Sequence, residues 1–506
     1  MKTSFYITTP IYYVNDKPHI GHAYTSIACD VLARFMRIDE REVKFLSGTD
    51  EHGQKVEQTA EKQGKTPKQL ADENSVHFRE LLKTLNVSND DFIRTSEERH
   101  KQGAQAFWKA LVKSGYIYLG KYSGWYSVRD EAYYQEAELV NGKAPTGADV
   151  EWVEEPSYFF KLSAFEDKLL EYYENNPKFI APEGRLNEVK SFVKCGLKDL
   201  SISRTTFKWG VPVPGDEEHV MYVWLDALAN YITALGYPFD TTDMQKFWPA
   251  DIHIVGKDIL RFHAVYWPAF LMAAEMHLPT RIFAHGWWTN EGQKISKSLG
   301  NVIDPVALAE EFGVDQLRYF LMREIPFGMD GDYSRDKLIL RVNADLANNI
   351  GNLAQRVLSM INKNCDGKVP KYKFEESDKK LLAFAFVQAD KIRNEIIYEQ
   401  HFSRALELLM QVATRANEFV DATAPWNLKK ENPERMAAVL YTLAECLRRI
   451  GLLLLPFTPD AANKLLDYLA VPEENRQFHC IGAGSALKPG TELPAPSGLF
   501  PRFEAK

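Results

Sequence analysis

Cysteine is scarce in this chain of 506 residues: there are five, and no two stand at a paired spacing. A disulfide framework is therefore excluded as the source of stability. Cys29, Cys195, Cys365, Cys446 and Cys480 read as reduced, buried thiols of a cytoplasmic protein. Long apolar runs are also missing. The most apolar stretch, Gly451 to Phe457, is far short of a bilayer span and is broken by Pro456, so no membrane association is expected. Positive charge is not in excess. The formal net charge of −8 excludes a protein that coats nucleic acid nonspecifically, though it permits a local basic face. No signal or transit segment is visible, because Met1-Lys2-Thr3-Ser4 runs straight into a strand pattern. Between Ser114 and Glu218 there is no histidine and only one cysteine, Cys195. Structural zinc takes Cys or His ligands, so a zinc-free segment is expected there, with its aromatics packed where a metal would sit.

What is present is a hydrophobic content of 45% and a charged content of 26%, ordinary for a globular chain of two to four domains. Ser4 to Thr8 reads as a buried strand. Ala23 to Arg37 carries Ile27, Val31, Leu32 and Phe35 at helical spacing, and Val43 to Leu46 is a second strand. Pro67 after Thr66 opens another helix. Strand, helix and strand at these lengths imply a parallel sheet with crossover helices. The segment from Tyr116 to about Glu218, rich in aromatics and Gly, interrupts that pattern with small strands and a helix at Phe165 to Tyr173. The pattern resumes at Asp251 to Asp258, a strand ending in a Gly-Lys-Asp turn, and at Arg281 to His285. From Val342 the text is helical. Leu346, Ile350, Leu353, Val357 and Ile361 form one apolar stripe, and Ala405, Leu408, Leu409, Val412 and Ala416 another, as in an antiparallel bundle. Pro456 and Pro459 bracket a break before a last helix, and an irregular tail follows from Pro472. The expected division is 1–113 and 219–289 for the two halves of an α/β domain, 114–218 for the mixed α+β insertion, 290–345 for a connecting fold, 346–470 for the helical domain and 471–506 for the tail.

Two clusters carry chemistry. Pro18-His19-Ile20-Gly21-His22 stands between a strand and a helix, where unpaired N–H groups and the helix dipole favour an anion. His19 and His22 can donate to phosphate oxygens, and Gly21 lets a ligand approach the backbone. Lys294-Ile295-Ser296-Lys297-Ser298 follows a strand of the same inferred sheet and brings two ammonium groups to its edge. Taken singly, each is more often a capping or solvated segment. Taken together, they form a clamp for a triphosphate.

These two clusters resemble the hallmark motifs of class I aminoacyl-tRNA synthetases, with Ile295 where the second motif most often has Met, a volume-conserving exchange. Pro10 to Asn15, Gly48 to Gly53, Tyr222 to Ala227 and Gly256 to Ile259 are similar to the methionyl-tRNA synthetase family, and the resemblance runs to about Leu469. It implies a Rossmann-type parallel-sheet catalytic domain and an all-α helical-bundle domain that binds the anticodon. It also implies ATP with its Mg²⁺, L-methionine and tRNA(Met) as partners. On this resemblance His19, His22, Lys294 and Lys297 are catalytic, with Lys297 nearest the phosphates. Gly21, Gly256, Asp258 and Arg204 join Lys297 in binding ATP. Asp50 pairs with the methionine ammonium, and Ile11, Tyr13, Trp224, Ala227, Tyr231, Ile259 and His263 line the thioether slot. Asn352, Arg356 and Trp426 fall on anticodon positions. Leu228 departs from a proline seen in some relatives. Ser127 and Asp130 stand near where others carry zinc-binding cysteines. The chain carries no appended oligonucleotide-binding domain, so a monomer is expected.

Other readings stay open on the residues alone. Synthetases for valine, isoleucine and leucine need a larger editing insertion than this one, because a methylene discriminates by only ~1–3 kcal/mol. The cysteine enzyme needs zinc ligands. A silent RNA-binding paralogue would not keep His19, His22, Asp50, Lys294 and Lys297. A small nucleotidyltransferase would not need the helical domain with Trp426.

Overall fold

The computed structural model describes residues 3–15, 17–130, 132–295 and 301–504. The first strand, β1 (Ser4–Thr8), is followed by β2 (Tyr12–Tyr13), helix α1 (Ile20–Ile38) and β3 (Glu42–Asp50). Then come α2 (Gln54–Lys62), α3 (Pro67–Thr84), β4 (Asp91–Arg94) and α4 (Glu98–Lys113). Thr66 caps α3 by accepting from the Gln69 N–H, while the Gln69 side chain accepts from the Thr66 N–H, and Pro67 takes the first helical position.

The interrupting segment holds β5 (Ile117–Ser127), β6 (Ala132–Tyr134), β7 (Glu151–Phe160), α5 (Glu166–Asn175), β8 (Ile180–Ala181), α6 (Glu183–Lys194) and four short strands, β9 (Leu200–Ser201), β10 (Ser203–Arg204), β11 (Pro212–Val213) and β12 (Asp216–Met221). Helices α7 (Val223–Thr233) and α8 (Thr242–Phe247) lead to β13 (Ile252–Gly256), α9 (Trp267–Ala273) and β14 (Ile282–His285). Small strands β15 (Trp288–Asn290), β16 (Gln293–Lys294) and β17 (Gly331–Tyr333) surround α10 (Pro305–Phe312) and α11 (Val314–Arg323). The rest is helical: α12 (Arg335–Arg341), α13 (Asn352–Asn364), α14 (Glu376–Asn394), α15 (Phe402–Thr423), α16 (Pro425–Glu431), α17 (Pro433–Leu454) and α18 (Pro459–Tyr468).

The large sheet runs β2-β3-β1-β13-β14-β8, with β4 also on β3, and every pair is parallel. The order reverses at β1, whose neighbours are β3 and β13. A ligand crevice forms at such a point, outside the C-terminal strand ends. Residues of β1 alternate between two cores. Phe5 and Ile7 join a core shared with α1, α11 and the helical bundle, and Tyr6 joins a core with α4, α7 and α9. Both faces are covered, so every residue of the strand is buried and its centre, Phe5-Tyr6-Ile7, is apolar on both sides.

Three findings differ from the sequence reading. Ile180–Ala181, inside the expected insertion, pairs with Ile282 and Phe283 as the edge of the large sheet. Cys195 is exposed and Cys365 half-buried, whereas Cys29, Cys446 and Cys480 are buried as expected. Around Ser127 and Asp130 the packing is polar rather than aromatic. The Asp130 carboxylate accepts from the Tyr134 hydroxyl (3.0 Å) and from Thr146, and the Asp130 N–H donates to Ser127 Oγ (3.3 Å). On the paired strands of this hairpin Trp125 packs edge-on to Trp152 and Tyr118 stacks on Phe159. Among the described residues, no group of three or more His, Cys, Asp or Glu could hold a metal ion, and no helix is long and apolar enough to cross a membrane.

Candidate active site and anticodon interface

The N-terminus of α1 is capped by imidazoles. His19, in extended backbone geometry, accepts the Gly21 N–H at its Nδ1 (3.1 Å), and His22 Nδ1 accepts the His19 N–H (3.0 Å). A neutral ring that accepts at Nδ1 carries its proton on Nε2. Both rings therefore keep one N–H for a ligand. Burial lowers the pKa of His19, against a smaller opposing pull from Asp258. Burial, and then the neighbouring His19, hold His22 well below the usual range. The two centroids are 4.0 Å apart, so double protonation is disfavoured and the site presents neutral donors. Gly21 has a nearer reason than ligand approach: a Cβ there would lie 2.9 Å from His19 Cε1 and push the capping ring aside.

This helix end opens on a cavity of about 630 Å³ at the C-terminal ends of β1, β3 and β13. His19, Gly21 and His22 border it from one side. Ile11, Tyr13 and Asp50 border it from the strand ends, and Trp224, Ala227 and Tyr231 from α7. Gly256, Asp258, Ile259 and His263 complete the set from the turn after β13. Ile295 also lines the cavity, which brings the start of the lysine loop to the same cleft as His19. Lys297 lies outside the described residues. The backbone of Lys294 pairs with Thr289 across β15 and β16.

The apolar end has a fixed polar handle. His263 Nδ1 lies 2.9 Å from the Ile259 carbonyl, which can only accept, so the proton sits on Nδ1. Burial holds the His263 pKa down at about 4, and Nε2 is thus an acceptor. The Tyr231 hydroxyl, 2.7 Å away, donates to it. Tyr231 also stacks on His253 (centroids 4.1 Å), and Trp224 stacks on Phe262 (3.6 Å, 6°). Helix α7 runs unbroken through Leu228, which is buried, so the leucine leaves the local backbone regular.

Trp287 is a cleft residue that sequence reasoning did not single out. Its Nε1–H donates to Asp258 Oδ1 (3.0 Å), and the Lys257 ammonium sits 4.3 Å from its ring. Asp258 Oδ1 is also the atom that a Cβ at Gly256 would strike, at 2.5 Å. The position of Trp287 two residues past a strand end was its only signal. Arg129 and Asp130 reach the same cavity from the insertion, for which no local pattern exists.

Arg204 does not line the cavity. It is 1% exposed, paired with Glu155 and placed over the Tyr126 ring at 4.1 Å, so its expected place beside ATP is withdrawn. It stands on the short strand β10 of the insertion, opposite Val220 on β12.

A profile described as tRNA synthetases class I (M) matches residues 5–358. The chain belongs to the class I methionyl-tRNA synthetases. A second profile, the anticodon binding domain of methionyl tRNA ligase, matches residues 373–506. The methionine–tRNA ligases of Rickettsia felis and of Brucella suis are each 58% identical over 508 residues, covering 100% and 99% of this chain and 99% and 98% of those proteins. The Mycobacterium tuberculosis methionyl-tRNA synthetase in complex with methionyl-adenylate is 51% identical, covers 99% of this chain and 100% of its own, and superposes with a TM-score of 0.96.

The expected anticodon residues of this synthetase meet on one surface. Asn352 opens α13 and is exposed, and Arg356 follows one turn later. Arg356 Nη2 bonds Asp421 Oδ1 (2.8 Å) near the end of α15, and its guanidinium lies 5.6 Å from the Trp426 ring centre. Trp426, on α16, is 48% exposed. Asp421 and the exposed indole hold the guanidinium in a defined orientation, and the outer ring face remains open.

Proposed function

We propose that the residues of the cleft divide the work of a methionine–tRNA ligase among themselves as follows. The enzyme joins L-methionine to ATP, forming methionyl-adenylate and pyrophosphate, and then transfers the methionyl group to the 3′ end of tRNA(Met). The observation that carries this division is the convergence, in one ligand-sized cavity, of two neutral imidazole donors at a helix N-terminus, the Asp50 carboxylate and an apolar slot ending in the Tyr231–His263 pair. Asp50 holds the ammonium group of methionine. The aromatic slot takes the flexible thioether. The bound carboxylate is already ionised and attacks the α-phosphorus without a general base, so positioning and charge stabilisation supply the acceleration. His19 and His22 donate through Nε2 to phosphate oxygens as charge moves onto pyrophosphate. Lys294 and Lys297 add positive charge, and ATP enters with Mg²⁺ as part of the substrate. Asp258 and Gly256 hold the ribose side, with Trp287 orienting the Asp258 carboxylate.

Asn352, Arg356 and Trp426 read the anticodon, Trp426 by stacking on an unpaired base. The enzyme works as a cytoplasmic monomer. The deciding experiment is ATP–pyrophosphate exchange with each standard amino acid in turn. Methionine alone is expected to support fast exchange, and Lys297→Ala to slow it severely. Exchange that prefers another amino acid overturns the substrate assignment, and near-wild-type exchange by Lys297→Ala overturns the role of that lysine.

A further inference from the structure

Directly after Asp50 the chain buries a second histidine system that the chemistry above does not use. His52 Nδ1 lies 2.6 Å from Asp226 Oδ2, and His100 Nε2 lies 2.6 Å from Asp226 Oδ1. The other nitrogen of His100 meets Thr233 Oγ1 at 2.9 Å. The side chains of His52, Asp226 and His100 are 1%, 0% and 0% exposed. Thr233, His100 and Asp226 thus share the connectivity of a hydrolytic triad, but Thr233 is 1% exposed and no substrate reaches its hydroxyl. The system is a structural tie, and what it ties is specific. Asp226 and Thr233 lie at the two ends of α7, the helix that carries Trp224, Ala227 and Tyr231. His52 belongs to the strand end that carries Asp50, and His100 to the first turn of α4.

We infer that the His52–Asp226–His100 relay is a positioning device that sets the distance between the Asp50 carboxylate and the α7 wall of the amino-acid slot. Burial works to raise the pKa of Asp226, and the two histidines more than offset it, so the carboxylate stays ionised and accepts from both rings. His52 Nε2 has no hydrogen-bond partner among the described residues, so the ring's hydrogen bond is the one to Asp226, with an edge contact to Trp209 (centroids 5.3 Å). On the other side of Asp50, Glu51 is held independently. Arg94 bonds both its oxygens (2.6 and 3.0 Å) and Thr49 donates to one (2.8 Å), which fixes the strand end toward β4 but not toward α7. The relay spans from that strand end to the slot. An amino acid is gripped at its ammonium by one element and at its side chain by the other, so the spacing governs affinity for methionine while the nucleotide half of the cleft is untouched.

The inference rests on the amino-acid site assigned above, and a crossed set of amide substitutions tests it. An Asn amide nitrogen overlies histidine Nδ1, and a Gln amide nitrogen overlies Nε2. His52→Asn and His100→Gln keep the donor to Asp226, whereas His52→Gln and His100→Asn displace it. In pyrophosphate exchange, the displaced pair is expected to raise KM for methionine about tenfold or more, with KM for ATP within about twofold, and the retained pair to stay near wild type. KM does not depend on how much of a preparation is folded, so partial misfolding leaves the comparison readable. Wild-type methionine KM in His52→Gln, equal rises in both substrates' KM, or loss of the Asn-versus-Gln crossover each overturns the relay. Wild-type enzyme that exchanges with another amino acid overturns the substrate assignment instead, and the same crossover read in that amino acid's KM still tests the relay.

Discussion

A histidine side chain in this protein does different work with each of its nitrogens, and that division can be tested one nitrogen at a time. His19 uses Nδ1 to cap α1 and leaves Nε2–H to the cleft. Asparagine is itself a good helix cap but offers nothing at the Nε2 position. His19→Asn is therefore expected to keep its melting temperature and lose about 10²–10³ in kcat for exchange, the usual effect of removing one transition-state donor. Equal losses of stability and rate would show that the ring matters only as a cap. His263 works the other way round, as a buried acceptor. Its folded pKa of about 4 lies below the ordinary 6.5, so the unfolded chain binds the proton more readily. The contribution is complete above pH 6.5 and is lost as pH falls toward 4, by about 3 kcal/mol at the lower end. Denaturation curves at pH 7 and pH 4 should differ by about that much less in His263→Phe than in wild type. An unchanged difference would place the acid sensitivity elsewhere.

Elements were legible where their pattern is local. The strand from Ser4, the helix after His22, the capped helix at Pro67 and the buried stripe from Leu346 to Ile361 all stand where apolar spacing and turn residues place them, though Leu346 and Ile350 fall on the π-helical turns Val342–Gly351 that lead into α13. So do the cleft residues of the two glycine-containing turns, because a strand end delivers them. What the text does not reveal depends on partners far along the chain. A two-residue strand such as Ile180–Ala181 has no period of its own, and only its pairing with β14 defines it. Arg204 reads as a free cation until Glu155 and Tyr126 are seen around it. The anticodon surface falls between these cases. Asn352 and Arg356 share a helix face that spacing predicts, but Trp426 joins them only because α15 ends at Thr423, Ala424 turns left-handed and α16 restarts at Pro425. The 48% exposure of that indole argues for base stacking, worth ~1–3 kcal/mol. Trp426→Ala should leave methionine-dependent exchange within about twofold and reduce tRNA charging by about tenfold or more. A parallel fall in both reactions would mean that the helical domain supports the cleft rather than reading RNA.

The core shared by α1, α11 and the helical bundle encloses an ion pair that no local pattern announces, since its members stand 288 positions apart. Arg318 on α11 is fully buried and bonds Asp30 Oδ2 on α1 at 2.6 Å. It also donates to the carbonyls of Pro456 (2.8 Å), Phe457 (3.1 Å) and Leu85 (3.1 Å). Asp30 in turn accepts from Arg34 (2.7 Å), the Ser88 N–H (2.7 Å) and the Ser88 hydroxyl (2.6 Å). One guanidinium therefore joins the helix that begins at His19, the loop after α3 and the Pro456 break between α17 and α18. The break frees the Pro456 and Phe457 carbonyls, because α17 has ended at Leu454 and Pro459, which opens α18, has no N–H to offer them. A charge taken out of water at this depth is tolerated only when every donor is used, and removing one partner leaves the other uncompensated. Arg318→Met is expected to destabilise the protein by about 3–5 kcal/mol in urea denaturation. The double variant Asp30→Leu with Arg318→Met should recover part of that loss, because the stranded carboxylate is gone. If the double variant is less stable than the single by the full cost of a second core substitution, Asp30 is held by Arg34 and Ser88 alone, and α1 and α11 pack without help from the pair.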